Sequence, residues 1–317
     1  MSDTPIEVVQ ILDVTKHPNA ERLAIVKVLG TQFIAGLNDF RVGDACVYFP
    51  PDMCIDPSTV PPIVLKYLKK GNRVGAVRLR GEPSFGFGLH TDAPIGTDLT
   101  KAFGGIKWNP PEYKGEGFLD PPGVFIYTSI QHCYKFPGIF NGQNIVVTEK
   151  IHGTNCRLGV CKGEFFAGSH RRIRNMDSIY GGVFPIAETY LEECKRLGHN
   201  VTVYGELYGA GVQFMDYGVA RGFRAFDIMV NGCYLNFEDF QATCSKYNIP
   251  MVPVLYQGEY YDGLITEFVD GPAFQPSTCK FKGREGVVVK TIEEKRHPRL
   301  GRMILKAVSA DYYASRK

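Results

Sequence analysis

An α+β fold in two parts is predicted, a small N-terminal β-barrel over residues 1–115 and a larger mixed domain over residues 122–317. Three observations lead there. Between Ile6 and Leu89 the chain breaks into short strand-like runs punctuated by Gly and Pro, the pattern of a small barrel. Residues 109–123 are rich in Pro and Gly and read as a linker. Beyond them, strand-like and helical stretches mix.

The barrel strands are expected at residues 7–12, at 23–29 ended by Gly30, at 32–35, at 45–49 and within 71–79. The lead-in His17-Pro18-Asn19-Ala20-Glu21-Arg22-Leu23 resembles that of tRNA-binding OB modules of the synthetase-associated kind, which implies a five-stranded OB-like barrel. Trp108 and Tyr113, beside the linker, are candidates for packing against one domain. In the second part, strands are expected around Lys150, Phe165, Val203, Phe226, Val288 and Ile304. Helices are expected at residues 185–197 and 237–247, with Asn236 capping the second.

The chain has 317 residues, 44% hydrophobic and 22% charged, enough for two cores in a soluble globular protein. A net charge of +3 argues neither for nor against nucleic acid. The basic residues are unevenly placed: Lys66, Lys69, Lys70, Arg73, Arg78 and Arg80; then Arg171, Arg172 and Arg174; then Lys295, Arg296, Arg299 and Arg302. Each cluster suits a solvated face, and the interleaved aromatics and Gly favour a phosphate-contacting surface. Nine cysteines with no CxxC pair point to reduced thiols in an intracellular setting, with Cys156 and Cys161 packing in the core. Residues 1–6 carry no signal pattern, and no apolar run approaches the length of a membrane span.

The chemistry centres on Val147-Thr148-Glu149-Lys150-Ile151-His152-Gly153-Thr154-Asn155. A strand-like stretch delivers Lys150 to a turn in which Gly153 allows close approach of a ligand. An ordinary lysine is protonated at neutral pH, so a nucleophilic one needs burial or neighbouring positive charge. Arg171, Lys290 and Lys306 are the candidate neighbours. Gly168-Ser169-His170-Arg171 offers a hydroxyl and a guanidinium for a ribose and a phosphate. Glu206 sits between glycines on an apolar strand, where a carboxylate is costly without a partner or ligand. Phe226 is placed to stack on a base or to pack in the core, and Glu285 and Lys290 stand at either end of a buried strand.

In this order the segments resemble the covalent nucleotidyltransferase superfamily of polynucleotide ligases and capping enzymes. Motif I is similar to Glu149–Asn155, Ia to Ser169–Arg171, III to Tyr204–Gly209, IIIa to Phe226-Asp227, IV to Glu285–Lys290 and V to Ile304–Ser309. His152 followed by Gly153-Thr154-Asn155 resembles the ATP-dependent RNA ligase 2 group, and the barrel-first order resembles its branch with an N-terminal OB-like domain. One departure stands out: the second motif V lysine is replaced by Val308, which leaves Arg299, Arg302 or a barrel lysine to grip the triphosphate.

The resemblance implies a nucleotidyltransferase domain of antiparallel sheets flanked by helices. It implies an ATP-dependent RNA ligase, acting with Mg²⁺ or Mn²⁺ on RNA as a nicked duplex or broken ends. Lys150 would carry AMP, while Glu206, Glu285 and Asn155, the last through water, would hold the metal. Glu149, Ile151, His152, Asn155, Arg171, Phe226, Lys290 and Lys306 would bind the nucleotide, with Phe226 on adenine. Lys290 and Lys306 would also help to keep Lys150 deprotonated. DNA ligation, RNA capping by guanylyl transfer, and RNA binding by a degenerate ligase fold are the alternatives. A membrane role is not expected, and the protein is expected to act as a soluble monomer.

Overall fold

The computed structural model describes residues 5–108 and 117–315. Residues 109–116, most of the expected linker with Tyr113, lie outside them. Mixed α+β structure is present, rich in sheet with few helices. Two compact units divide the chain: one gathers residues up to 112 with 131–139 and 308 onward, the other 113–130 with 140–307. The first unit is thus assembled from three stretches rather than from a single cut near residue 115.

In the first unit the main strands are β1 (Glu7–Lys16), β2 (Leu23–Val28), β3 (Thr31–Gly36), β4 (Ala45–Phe49), β5 (Ala76–Leu79), β6 (Glu82–Phe85) and β7 (Phe87–His90). The largest sheet runs β7-β4-β1-β2-β3, antiparallel throughout. β1 is long because it serves two neighbours, pairing with β4 through Glu7–Gln10 and with β2 beyond Ile11. A register shift between Ile11 and Asp13 bends it between the two tasks. Alternation sends Val9 and Ile11 into one cluster with Val26, Val28 and Phe33, while Val8 joins Val47, Phe49 and Phe87 in another.

Among the described residues these ladders make a half-barrel sheet, the coarser part of the barrel that the sequence predicts. Side chains of the β5–β6 hairpin occupy the edge that closure would need. Ser84 Oγ accepts from the Ile34 amide at 2.9 Å, and Gln32 donates to the Pro83 carbonyl at 2.9 Å. Arg73 leaves the expected phosphate-contacting set as well. It is buried, stacked 4.3 Å from the Trp108 ring and 3.7 Å from Asp52, so its charge serves packing. Trp108 therefore packs within this unit.

The second unit holds β8 (Asn144–Glu149), β9 (Thr154–Cys161), β10 (Glu164–Gly168), β11 (Val201–Tyr208), β12 (Gly222–Val230), β13 (Val254–Glu259), β14 (Gly286–Thr291) and β15 (Ile304–Val308). One antiparallel sheet carries β10-β9-β11-β12, extended at both edges by two-residue strands; the other carries β15-β14-β8-β13. Helices α1 (Glu188–Arg196) and α2 (Phe237–Lys246) cover the first sheet. Leu191, Phe237 and Phe240 bury against Cys156, Leu158, Val203 and Ile228. Two local expectations change. The helix expected from Pro185 starts at Glu188, because Pro185 lies in a 3-10 turn. Asn236 sits at the cap position of α2, but its side-chain oxygen accepts from the Glu294 amide at 2.9 Å instead of from the helix.

Arg157 on β9 is wholly buried and ties three segments together. Its guanidinium donates to both Asp120 oxygens at 2.7 and 2.9 Å and to the Ser169 carbonyl at 2.7 Å. Removing one member of such a pair strands the other's charge. Arg157→Ala is therefore expected to lower the unfolding free energy in urea by about 3–5 kcal/mol. A loss below about 1 kcal/mol would mean that Asp120 finds water instead.

Candidate active site

β8 is paired on both sides, with β13 and with β14, so its end is rigidly placed. Lys150 follows directly, its amide donating to the Gly286 carbonyl at 2.9 Å. The chain then turns into β9 through Gly153, where a Cβ would fall 2.2 Å from the Leu207 carbonyl oxygen. Only glycine fits that approach. The His152 amide donates to the Tyr217 hydroxyl at 2.8 Å, which pins the turn.

The Lys150 ammonium lies 2.7 Å from Glu285 Oε1, and His152 Nδ1 lies 3.1 Å from Glu285 Oε2. One carboxylate thus bridges the lysine and the histidine. On the other sheet, Asn155 of β9 stands opposite Glu206 of β11. Both face a cavity of about 130 Å³, lined also by Glu149, Lys150, Ile151, Phe226 and Lys290 and by Tyr127, Ile130, Val288 and Ile304. The Asn155 side-chain oxygen Oδ1 is buried without a hydrogen-bond partner, an unsatisfied acceptor in that wall.

A bulge sets the far side. Tyr204 pairs with Asp227 and Gly205 with Ala225, so Phe226 is the extra residue of β12. Phe226 turns into the cavity wall while Asp227 turns inward. There Asp227 Oδ1 receives Lys290 at 2.7 Å; Oδ2 receives Arg302 at 2.7 Å and the Tyr127 hydroxyl at 2.6 Å. Arg302 also pairs with Glu294 and stacks 3.7 Å from the Tyr234 ring. The Tyr127 ring lies 4.8 Å from that of Phe226.

The carboxyls divide by environment. Burial pushes Glu206 up to about 8; Lys150 opposes this and the Glu285 charge adds to it. Burial also works against ionising Glu285, but Lys150 and His152 outweigh it and hold that carboxyl at about 2. Glu149 is pushed up to about 7 by burial, against two hydrogen bonds from the Phe274 amide at 2.9 and 3.1 Å. Asp227 is held below the usual range because Arg302 and Lys290 overcome the effect of burial.

Of the residues singled out from sequence, Glu149, Lys150, Ile151, Asn155, Glu206, Phe226 and Lys290 line one cavity, and Glu285 and His152 join through the Lys150 ion pair. Lys306 is not a lining residue; it lies two positions beyond Ile304, on the same face of β15. Arg171 is exposed on the turn after β10, outside the cavity lining. Two expectations are corrected. Lys290 is neutralised by Asp227, so it is not a bare cation beside Lys150, whose ion-pair partner is Glu285. Arg302 is buried and paired twice, so it is not available to grip a triphosphate. Tyr127 and Tyr217 were missed. Neither carries a local signal, since each acts through partners more than 60 positions away.

A family model described as RNA ligase matches residues 143–308, and the chain belongs to the RNA ligase family. No curated protein matches the sequence. Solved structures resemble it along nearly its whole length. A Naegleria gruberi RNA ligase with PPi has a TM-score of 0.79 at 24% identity, covering 98% of each chain. An apo mutant of the Naegleria gruberi RNA ligase has a TM-score of 0.79 at 23% identity, covering 98% of this chain and 97% of that one. A mutant with AMP and Mn has a TM-score of 0.78 at 24% identity, covering 97% of each. At such identity the likeness establishes the fold.

The raised Glu206 carboxyl gives a test of this geometry. The folded chain holds its proton more tightly than the unfolded chain, so stability falls as pH rises from the ordinary carboxylate range towards about 8, and the loss levels off above that. Glu206→Gln stays neutral at every pH. In metal-free buffer its stability advantage over the parent is expected to grow by at least about 1 kcal/mol between about pH 5 and about pH 8.5. Urea unfolding at both pH values measures it, and a constant gap would place Glu206 in water.

Proposed function

We propose that this chain is an ATP-dependent RNA ligase of the RNA ligase 2 group, joining 3′-OH and 5′-phosphate ends through AMP carried on Lys150. The observation that carries the reading is a lysine at a rigid strand end, held by Glu285 and facing an aromatic-walled cavity that Glu206 lines, the two carboxyls being shifted in opposite directions. Membership of the RNA ligase family supplies the substrate class. The likeness to Naegleria ligases with ATP and Mn or with AMP and Mn supports the nucleotide and the metal.

In this scheme the Lys150 nitrogen attacks the α-phosphorus of ATP. An N–P bond forms as the bond to the bridging oxygen breaks, and pyrophosphate leaves. The adenylyl group passes to an RNA 5′-phosphate and frees the amine; attack by a 3′-OH then seals the strand and releases AMP. Phe226 stacks on adenine, in the cavity that Val288 also lines. Lys290, fixed by Asp227, meets the phosphates with Lys306, and Arg171 meets them from its turn. Glu285 orients Lys150 and His152 from its two oxygens.

Among the described residues no three His, Cys, Asp or Glu side chains converge to cage a metal. Glu206, Glu285 and the unsatisfied Asn155 oxygen suit an ion held by one or two carboxylates, water and substrate phosphates, the habit of Mg²⁺ and Mn²⁺. When bound, such an ion offsets charge on the phosphate oxygens.

In this reading residues 1–115 have the part of an OB-like module and residues 122–317 that of the adenylyltransferase. The half-barrel sheet supports an OB relationship, and a nicked duplex or broken RNA ends are the substrates in view. The chain is read as a monomer acting inside the cell; no helix among the described residues is long and apolar enough to cross a membrane.

Incubation with α-labelled ATP and Mg²⁺ or Mn²⁺ is expected to label the protein at Lys150, with mass spectrometry placing AMP there. Lys150→Ala should reduce labelling and sealing at least about 1000-fold. Labelling by GTP and not ATP, or sealing that survives the substitution, would overturn the reading.

A further inference from the structure

We propose that Phe214 is a stacking platform for a nucleobase of the RNA end that receives AMP, an inference that rests on the ligase reading above. Phe214 is 41% exposed, yet it belongs to a loop with little freedom. Its neighbours Met215 and Tyr217 are both fully buried. Asp216 between them accepts from the Gly218 and Thr278 amides at 3.0 and 2.8 Å and from the Ser277 hydroxyl at 2.8 Å. A large apolar ring held in the open by so many anchors is a surface on which a planar ligand can settle without ordering the loop.

The same loop is tied to the turn that carries the nucleophile. Gln213 donates to the Gly153 carbonyl, and the Tyr217 hydroxyl accepts from the His152 amide at 2.8 Å. The Phe214 ring packs on the His152 imidazole, with centroids 4.6 Å apart at 53°. His152 in turn meets Glu285, which holds Lys150. Phe214 is therefore fixed, through three side-chain contacts, relative to the amine from which AMP departs.

It is not among the residues lining the cavity that holds Phe226, so a base on Phe214 does not compete with adenine. Adenylyl transfer needs both at once: adenosine in the cavity, and the nucleotide bearing the 5′-phosphate beside it. A phenyl ring stacks on any base, which suits an enzyme that joins ends regardless of sequence.

The test uses the full chain and a 5′-phosphorylated oligoribonucleotide. Fluorescence anisotropy reads binding, and single-turnover assays read lysyl-AMP formation and RNA adenylylation separately. Phe214→Ala is expected to weaken RNA binding about tenfold, and to slow RNA adenylylation at low RNA about tenfold more than lysyl-AMP formation. Phe214→Trp is expected to restore both. Unchanged RNA binding in Phe214→Ala would overturn the proposal. So would an equal loss in the two chemical steps, which would mean that the ring only buttresses His152. If the parent carries no AMP on Lys150 the ligase reading fails instead, and the anisotropy comparison still decides Phe214.

Discussion

A buried aspartate governs the second unit. Asp227 is fully enclosed, and an isolated carboxylate there would be prohibitively unstable. It is tolerated because Lys290 and Arg302 meet its two oxygens and Tyr127 adds a third donor. Each partner comes from a different segment, so one charge locates β14, the Arg302 stretch and the Tyr127 segment together. The neighbouring residue on the same strand is the aromatic wall of the cavity. The aromatic wall of the cavity and the Lys290 anchor are thus set by adjacent positions, and neither can shift without disturbing the other.

The two carboxyls around Lys150 show how the environment assigns roles to identical groups. Glu285 has two cationic neighbours and stays ionised to strongly acidic pH; Glu206 has burial and a like charge beside it and keeps its proton near neutrality. The first acts as a fixed anion that orients a lysine and a histidine. The second keeps its proton until the pH approaches about 8, so the two carboxyls carry different charges at neutrality.

Much of the site was legible in the chain because its residues sit in short strands with glycine punctuation, where local pattern and local chemistry coincide. Lys150 at a strand end, Gly153 at a close approach, Glu206 among apolar neighbours and the Glu285–Lys290 span each carry their signal within a few residues. What was not legible depends on long-range pairing. The Phe226 bulge exists only against β11, and Arg302, which read as part of a basic surface cluster, is interior because Asp227 and Glu294 await it. The same holds in the first unit, where Arg73 disappears under Trp108. Strand runs reveal how many strands exist, whereas closure of a barrel depends on which edges meet. Here the Ser84 hydroxyl and Gln32 amide occupy that edge.

The extra residue in β12 also bears on how this chain can vary in length. Losing Phe226 would leave Ala225 opposite Gly205 and Asp227 opposite Tyr204, so the strand would fall into regular alternation with no side chain turned over. Mutational drift can therefore drop that single codon and strip the ring from the wall while the anchor keeps its place.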